Sequence, residues 1–540
     1  MGSGVKAAAP LAARADTLFI LSLSLLLVAL NALKPLTTDD AIYLEFAQHL
    51  ARHPLAPYGG TSIAVGKEAS QFLILAPLVL PYWLALGIAL FGDGELALKL
   101  WLFPIALVLV WAILRLARRF ALGCELPATL VAAFSPTVLA GLNLMLDVPA
   151  LALGLAAIEL FFVAMDRGAI AGAAAAGLLA GLAMQTKYSA VTVPAAMLLA
   201  SALRGRIGFG IVASVAAAAF FLAWEGFILA MHGQSQFLDQ MLARLPATSQ
   251  SRSMHHLYIL FGEIAPALIL LGLAALGASL RVVLAAAAVL LAMIAFSAFG
   301  LRAFALPGAA GAALWLLTGL AAYRLVRARE GDAGVLERGD TWFLIGWLLI
   351  ELLAGYLLSP YPAARRLIGI LFVVTLILFR LAAEAVARAR PARDGMRVAV
   401  AFAVVFGLAV QALEIVTYSD QRAAAAEAAR WSKVNAPGAR AWFWGAGTFN
   451  HYARLAGIGF ADPGKTALRP GDIVFDPLAP YFAPPLAGTD TFVTLATIPV
   501  GAALGIASAL QSGHQLFVRR GAVLLRVHRV LKDTQVSERN

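Results

Sequence analysis

Apolar runs long enough to cross a membrane recur along this chain from its N-terminus to about residue 416, where the pattern changes character. A spanning helix needs roughly 20 largely apolar residues, and on that measure the chain offers about fourteen candidate segments. The first covers residues 17–33, preceded by Lys6 and Arg14 and closed by Lys34-Pro35-Leu36-Thr37. No small-residue cleavage site follows it, so it reads as a retained span and not as a cleaved signal.

Charges decide which segments cross. With Lys6 and Arg14 in the cytoplasm, the first helix exits on the outer side at Lys34. The run 72–91 looks like a span on hydropathy alone, and 97–114 follows it, ending in Arg115, Arg118 and Arg119. If both crossed, that basic cluster would lie outside; if only the second crosses, it lies inside, where short loops collect Lys and Arg. Pro77 and Pro81 also deprive 72–91 of backbone donors. That run is therefore expected to be a helix pair in, or dipping into, the outer interface. Arg167, Arg204, Arg206, Arg281, and the clusters at 324–329 and 388–397 then all fall inside. About thirteen crossings result, the last over residues 398–416.

Beyond it come strand-like runs at 441–444, 472–475, 491–497 and 515–519, and at 523–530 after a candidate hairpin turn, Arg520-Gly521. Pro470-Gly471 and Pro484-Pro485 punctuate them. Gly445-Ala446-Gly447 is a weak nucleotide-loop signal and reads more simply as a tight turn. The expected fold class is an all-α polytopic membrane protein with interfacial helices in its first periplasmic loop and a small C-terminal α/β periplasmic domain. Residues 1–416 form the transmembrane module, with the first outer loop at 34–96, and residues 417–540 form the outer domain. The setting is the cell inner membrane, with the N-terminus cytoplasmic.

Composition supports this reading. Of 540 residues, 61% are hydrophobic and 13% charged, with mean hydropathy +0.84, whereas soluble domains carry about a quarter charged residues. A net charge of +11 would suggest nucleic acid in a soluble protein. Here it follows from basic cytoplasmic loops, so no nucleic-acid partner is expected. The single cysteine, Cys124, excludes intramolecular disulfides and Cys-rich metal sites.

The candidate chemistry gathers at outer ends of spans. In the first loop, Tyr43, Phe46, Ala47 and Leu50 recur at helical spacing behind Asp39 and Asp40. Either Asp39 caps this helix while Asp40 meets its dipole, or the two carboxylates form an acid/base or metal site. Outer basic residues next to spans run against the charge rule: Lys67, Lys187, Arg244, Arg252, Arg302 and the pair Arg365-Arg366. Arg and Lys suit phosphate, and Ser359-Pro360-Tyr361-Pro362 places Arg365-Arg366 in a short rigid turn. Asp147 stands at the outer end of the fourth crossing, as a helix-start acid before Pro149 or as a functional group. His255-His256 is a candidate metal pair in the second large outer loop, although adjacent helical side chains point apart.

Asp39-Asp40-Ala41-Ile42-Tyr43 resembles the Asp-Glu-Ala-x-Tyr pattern of GT-C glycosyltransferases. The similarity is to the protein O-mannosyltransferase-like group, which includes the lipid A aminoarabinose transferases. Leu90-Phe91-Gly92, Asp147 and Gly181-Leu182-Ala183-Met184-Gln185-Thr186-Lys187 resemble further features of that group. The likeness covers about the first 200 residues and the turn at 361–366. It implies sugar transfer from a polyprenyl-phosphate donor to a glycan, lipid or protein acceptor at the outer face of the lipid bilayer. It makes Asp39 the catalytic carboxylate and puts Asp40 where the family usually has Glu. Tyr43, Lys187, Tyr361, Arg365 and Arg366 would serve substrate binding. Lys67 and Glu68 resemble, in reversed order, a Glu-Lys pair that contacts metal and lipid phosphate in some relatives, and dependence on a divalent metal stays open. A transporter or lipid flippase is the alternative; it would place polar groups near the midplane, whereas here they crowd the outer ends.

Overall fold

The computed structural model describes residues 4–64, 66–74, 77–240, 254–298, 305–328, 338–358, 363–445, 447–478, 490–501, 505–508, 510, 516–519 and 521–535. Among them, eight helices are long and apolar enough to cross a membrane: Arg14–Ala32, Glu95–Phe120, Asp147–Arg167, Ile207–His232, Leu306–Arg327, Arg338–Leu357, Ala364–Arg388 and Arg390–Asn435. Shorter apolar helices lie between them, including Ile170–Met184, Tyr188–Leu203, Pro266–Ala275 and Leu280–Phe296. In lipid, helices associate by close packing, which small residues permit. The abundant Gly and Ala serve that end. A Cβ on Gly177 would sit 2.2 Å from the Ala213 carbonyl oxygen, and one on Gly407 would sit 2.0 Å from that of Phe134.

The first loop departs from expectation in two ways. Run 72–91 is not a helix pair: a single turn, Gln71–Leu73, precedes one helix, Val79–Phe91. Its 13 residues reach about 20 Å, short of the roughly 30 Å hydrocarbon core. Pro81 is tolerated because it falls in the first turn, where amides have no intrahelical partner. A hairpin, Thr61–Ala64 with Lys67–Ser70, also follows the amphipathic helix Thr38–Arg52.

The helix Arg390–Asn435 continues for 46 residues straight through position 416. Its far end, with Ala424, Ala425 and Ala428, packs against Phe443, Phe449, Phe475 and Leu525 of the tail. The tail sheet runs Gly459–Phe460, Ala441–Phe443, Ile473–Leu478, Val523–Val530, Phe492–Val500, with the first three strands parallel and the rest antiparallel. Helix Thr448–Leu455 crosses between the parallel strands Ala441–Phe443 and Gly459–Phe460. The runs on either side of Arg520-Gly521 do not pair with each other as expected. Val523–Val530 has both edges occupied by Ile473–Leu478 and Phe492–Val500, so Phe517–Arg519 pairs with Ile506–Ser508 instead.

Candidate active site

The site starts where the first span stops. Lys34 is fully buried; its Nζ donates to the Ala140 carbonyl at 2.6 Å and meets Glu414 Oε2 at 3.3 Å. Thr37 then opens helix Thr38–Arg52 through a capping box in which its amide donates to Asp40 Oδ2 at 2.7 Å. The cap is therefore Thr37 and not Asp39, because only the residue three positions on can reach back to the cap amide. Asp40 is fully buried, and burial raises its carboxyl above the usual range against the pull of Thr37, Lys99 and Lys34. Its Oδ1 has no hydrogen-bond partner among the described residues.

Asp39, one position earlier on the helix, faces the other way. Its side chain is 29% exposed and its Oδ2 accepts from Arg365 Nη1 at 2.6 Å. The same Nη1 touches Met145 Sδ at 3.8 Å, and Thr37 Oγ1 touches that sulfur at 3.7 Å. Two residues beyond Met145, Asp147 begins the helix Asp147–Arg167, and its Oδ1 holds Lys187 Nζ at 2.5 Å. Arg365 and Arg366 lie within electrostatic reach of Asp147. Helix Ile170–Met184 has ended by Lys187, whose extended backbone precedes the turn Tyr188–Val191 and frees the side chain to cross to Asp147. Arg365 and Arg366 stand on a similar turn, Ala364–Leu367.

Asp147, Lys187 and Arg366 border a cavity of about 460 Å³ whose walls are otherwise mostly apolar, including Leu151, Leu155, Ile158, Trp347 and Phe372. Glu351 adds a further acid to its wall. An apolar groove with cations at one end suits a lipid chain that carries a phosphate.

The expected residues divide by place. The structure brings Asp39, Asp147, Lys187, Arg365 and Arg366 together. Tyr43 is buried in the loop's own core with Leu36, Phe46 and Leu84. Lys67 and Glu68 sit on an exposed strand turned toward the tail, where the Glu68 amide donates to Asp462 Oδ1 at 3.1 Å and its carboxylate lies 3.8 Å from Lys465. Tyr361, Arg244, Arg252 and Arg302 lie outside the described residues, as do the side chains of His255 and His256. Among the described residues no three His, Cys, Asp or Glu side chains gather as metal ligands, and Asp39 and Asp147 each face a cation.

Lys34, Lys99, Glu95, Glu414 and Tyr452 support the site and were not among the expected residues. Lys34 and Lys99 carried a signal: both are basic residues at outer span ends, which the charge rule marks as it marked Lys187. Their carboxylate and phenol partners lie too far along the chain to be paired by eye.

Residues 76–225 match the family model of dolichyl-phosphate-mannose-protein mannosyltransferases. Among solved structures, ArnT from Cupriavidus metallidurans bound to undecaprenyl phosphate aligns over 95% of this chain and 97% of its own, at 15% identity and TM-score 0.45. The archaeal oligosaccharyltransferase AglB from Archaeoglobus fulgidus, in complex with an inhibitory peptide and a dolichol-phosphate, aligns over 85% of this chain and 69% of its own, at 13% identity and TM-score 0.40. No curated protein sequence matches the chain.

Proposed function

We propose that this chain, whose residues 76–225 match the dolichyl-phosphate-mannose-protein mannosyltransferase model, is a GT-C-type glycosyltransferase that moves a sugar from a polyprenyl-phosphate donor to an acceptor at the outer face of the inner membrane. One observation carries the reading: Asp147, Lys187 and Arg366 line a mostly apolar cavity, and Arg365, next to Arg366, holds Asp39 at 2.6 Å. The donor's lipid chain occupies that cavity, and Lys187 and Arg366 hold its phosphate. Asp39, oriented by Arg365, takes the proton from the incoming acceptor nucleophile. The nucleophile attacks the anomeric carbon as the bond to phosphate oxygen breaks, so the anomeric centre inverts. The leaving phosphate gains a negative charge, which Lys187 and Arg366 stabilise where it develops. Asp147 keeps Lys187 aimed, and Asp40 serves the helix start.

We take the eight long helices, together with the shorter or broken segments 125–139, 170–184, 188–203, 254–275 and 280–296, as thirteen crossings. Ion pairs at the opposite end of helix Asp147–Arg167 support the sidedness. Arg119 and Arg204 both reach Asp166, at 2.7 and 3.0 Å, as a cytoplasmic basic cluster should. The N-terminus is then cytoplasmic, with residues 417–540 outside.

The test compares Asp39→Asn and Asp39→Glu by mass spectrometry of envelope glycans and lipids in cells, and by transfer assays on the purified protein. Asp39→Asn should lose transfer by about 10²–10⁴-fold while keeping its abundance and its binding of polyprenyl phosphate. Full transfer by Asp39→Asn would sink the assignment. A protein that moves the lipid-linked sugar across the bilayer without transferring it would be a flippase.

A further inference from the structure

We propose that the C-terminal domain completes the active site, with Tyr452 as the positioning residue that holds the Asp39 segment in place; this rests on the transfer reading above. Tyr452 lies on helix Thr448–Leu455, in the βαβ unit of the tail. Its hydroxyl accepts the Leu36 amide at 2.9 Å and donates to Glu95 Oε2 at 2.8 Å. Leu36 is fully buried and directly precedes Thr37, the residue that starts the Asp39 helix. The other Glu95 oxygen holds the buried Lys99 at 2.9 Å, and Lys99 acts electrostatically on both Lys34 and Asp40. One phenol thus ties the tail, the start of the second span and the mouth of the first loop together.

Further tail contacts bracket the same segment. Arg454 Nη1 meets Glu45 Oε1 at 2.6 Å, and Glu45 Oε2 accepts the Ile63 amide at 3.2 Å. Asp462 Oδ1 takes the Glu68 amide at 3.1 Å. A Cβ on Gly447 would sit 3.6 Å from Thr38 Oγ1, which brings the tail's Gly-rich turn beside the residue before Asp39. Of these contacts, only that of Tyr452 satisfies a buried amide at the entrance to the helix. Burial holds its phenol far above the ordinary range, with Glu95 adding to the effect, so the proton stays available to Glu95.

The Tyr452→Phe change leaves the buried Leu36 amide without its partner, while the quarter-exposed Glu95 carboxylate can turn to water, so the segment must shift for that amide to recover a hydrogen bond. Small displacements of a catalytic group are costly to rate. The donor's phosphate contacts, by contrast, sit on Lys187 and Arg366 and do not involve the tail.

The full-length protein in lipid nanodiscs is compared as wild type, Tyr452→Phe and Arg454→Ala, by transfer kinetics and by amide hydrogen exchange. Tyr452→Phe should speed exchange over residues 33–40 by about tenfold or more and lower kcat by about 10–100-fold. Its KM for the donor should stay within about twofold of wild type, and exchange of strand Val523–Val530 should not change. Arg454→Ala, at a half-exposed contact, should behave nearly as wild type. Unchanged exchange over 33–40 overturns the proposal, as does a loss of kcat that comes with exposure of Val523–Val530, since that is simple unfolding of the tail. A wild type with no transfer but the same exchange contrast supports the latch and overturns the transfer reading.

Discussion

The two ends of the site are built on different principles. At the cavity end, Asp147 and Lys187 are 40 residues apart, and each is delivered by a helix terminus in one local stretch of chain. At the loop end, Asp39 is held by Arg365, 326 residues away; Lys34 by Glu414, 380 away; and Leu36 by Tyr452, 416 away. The cavity lining runs no further along the chain than Phe372, whereas the acid end requires the last spanning helix and the tail to have docked. Damage at the cavity end should stay local and appear in binding, while damage at the loop end should spread to folding.

The largest contrast is expected from Glu414→Ala. It leaves the fully buried Lys34 ammonium with its hydrogen bond to the Ala140 carbonyl and only the more distant charge of Asp40 against it. Removing one partner of a buried pair costs about 3–5 kcal/mol, a large fraction of the stability of most folds. Thermal unfolding in detergent should show a collapse in Tm or loss of folded protein, with Glu414→Gln milder because it still accepts a hydrogen bond. A Glu414→Ala protein that melts like wild type would break the contrast at its strongest point.

Next in size is the cavity end. Arg366→Ala, and the double variant Lys187→Met/Asp147→Asn, which avoids stranding the carboxylate, should weaken polyprenyl-phosphate binding by about 10–100-fold. That corresponds to losing a charged hydrogen bond worth roughly 1.5–3 kcal/mol. Neither should move Tm by more than a few degrees. Titration with polyprenyl phosphate in nanodiscs, next to the melting curve, separates the two effects. Tight binding by both variants would show that the phosphate is held elsewhere.

The same division explains what could be read from the sequence. The cavity end was legible because its residues break rules in place: Lys187 and Arg365-Arg366 are cations where the charge rule disfavours them, and Asp147 is an acid at a span end. Asp39 was legible through its family pattern, but which residue caps the helix was not. Thr37 and Asp40 form the capping box, a spacing of three that the sequence does display. Pro77 and Pro81 marked 72–91 as an interrupted run, yet they did not reveal that its described residues hold one turn and one helix and not a helix pair. The strand runs of the tail were visible as β-branched stretches. Their pairing was not, because Val523–Val530 takes partners on both sides from strands before it in the chain, and the nearest run loses the competition. Tyr452 carried no local signal at all, since its meaning lies wholly in a contact made across the chain.

The smallest effect sharpens the comparison through pH. Asp40 sits 0% exposed beside Asp39, with its carboxyl raised above 3.8 chiefly by burial. In the unfolded chain the same group titrates near its ordinary value. Over the interval above 3.8 the folded state therefore keeps a proton that the unfolded state has released, and stability must fall as pH rises through that interval. Asp40→Asn has no proton to lose there, while its side-chain oxygen still accepts the Thr37 amide. Its Tm should gain on that of wild type as pH rises above about 4, by a few degrees at most. Parallel melting profiles would mean that Lys34 and Lys99 fully compensate the buried charge. The loop end would then be a balanced ionic cluster, and the dependence of Asp39 on its surroundings would reduce to the Arg365 contact and the tail.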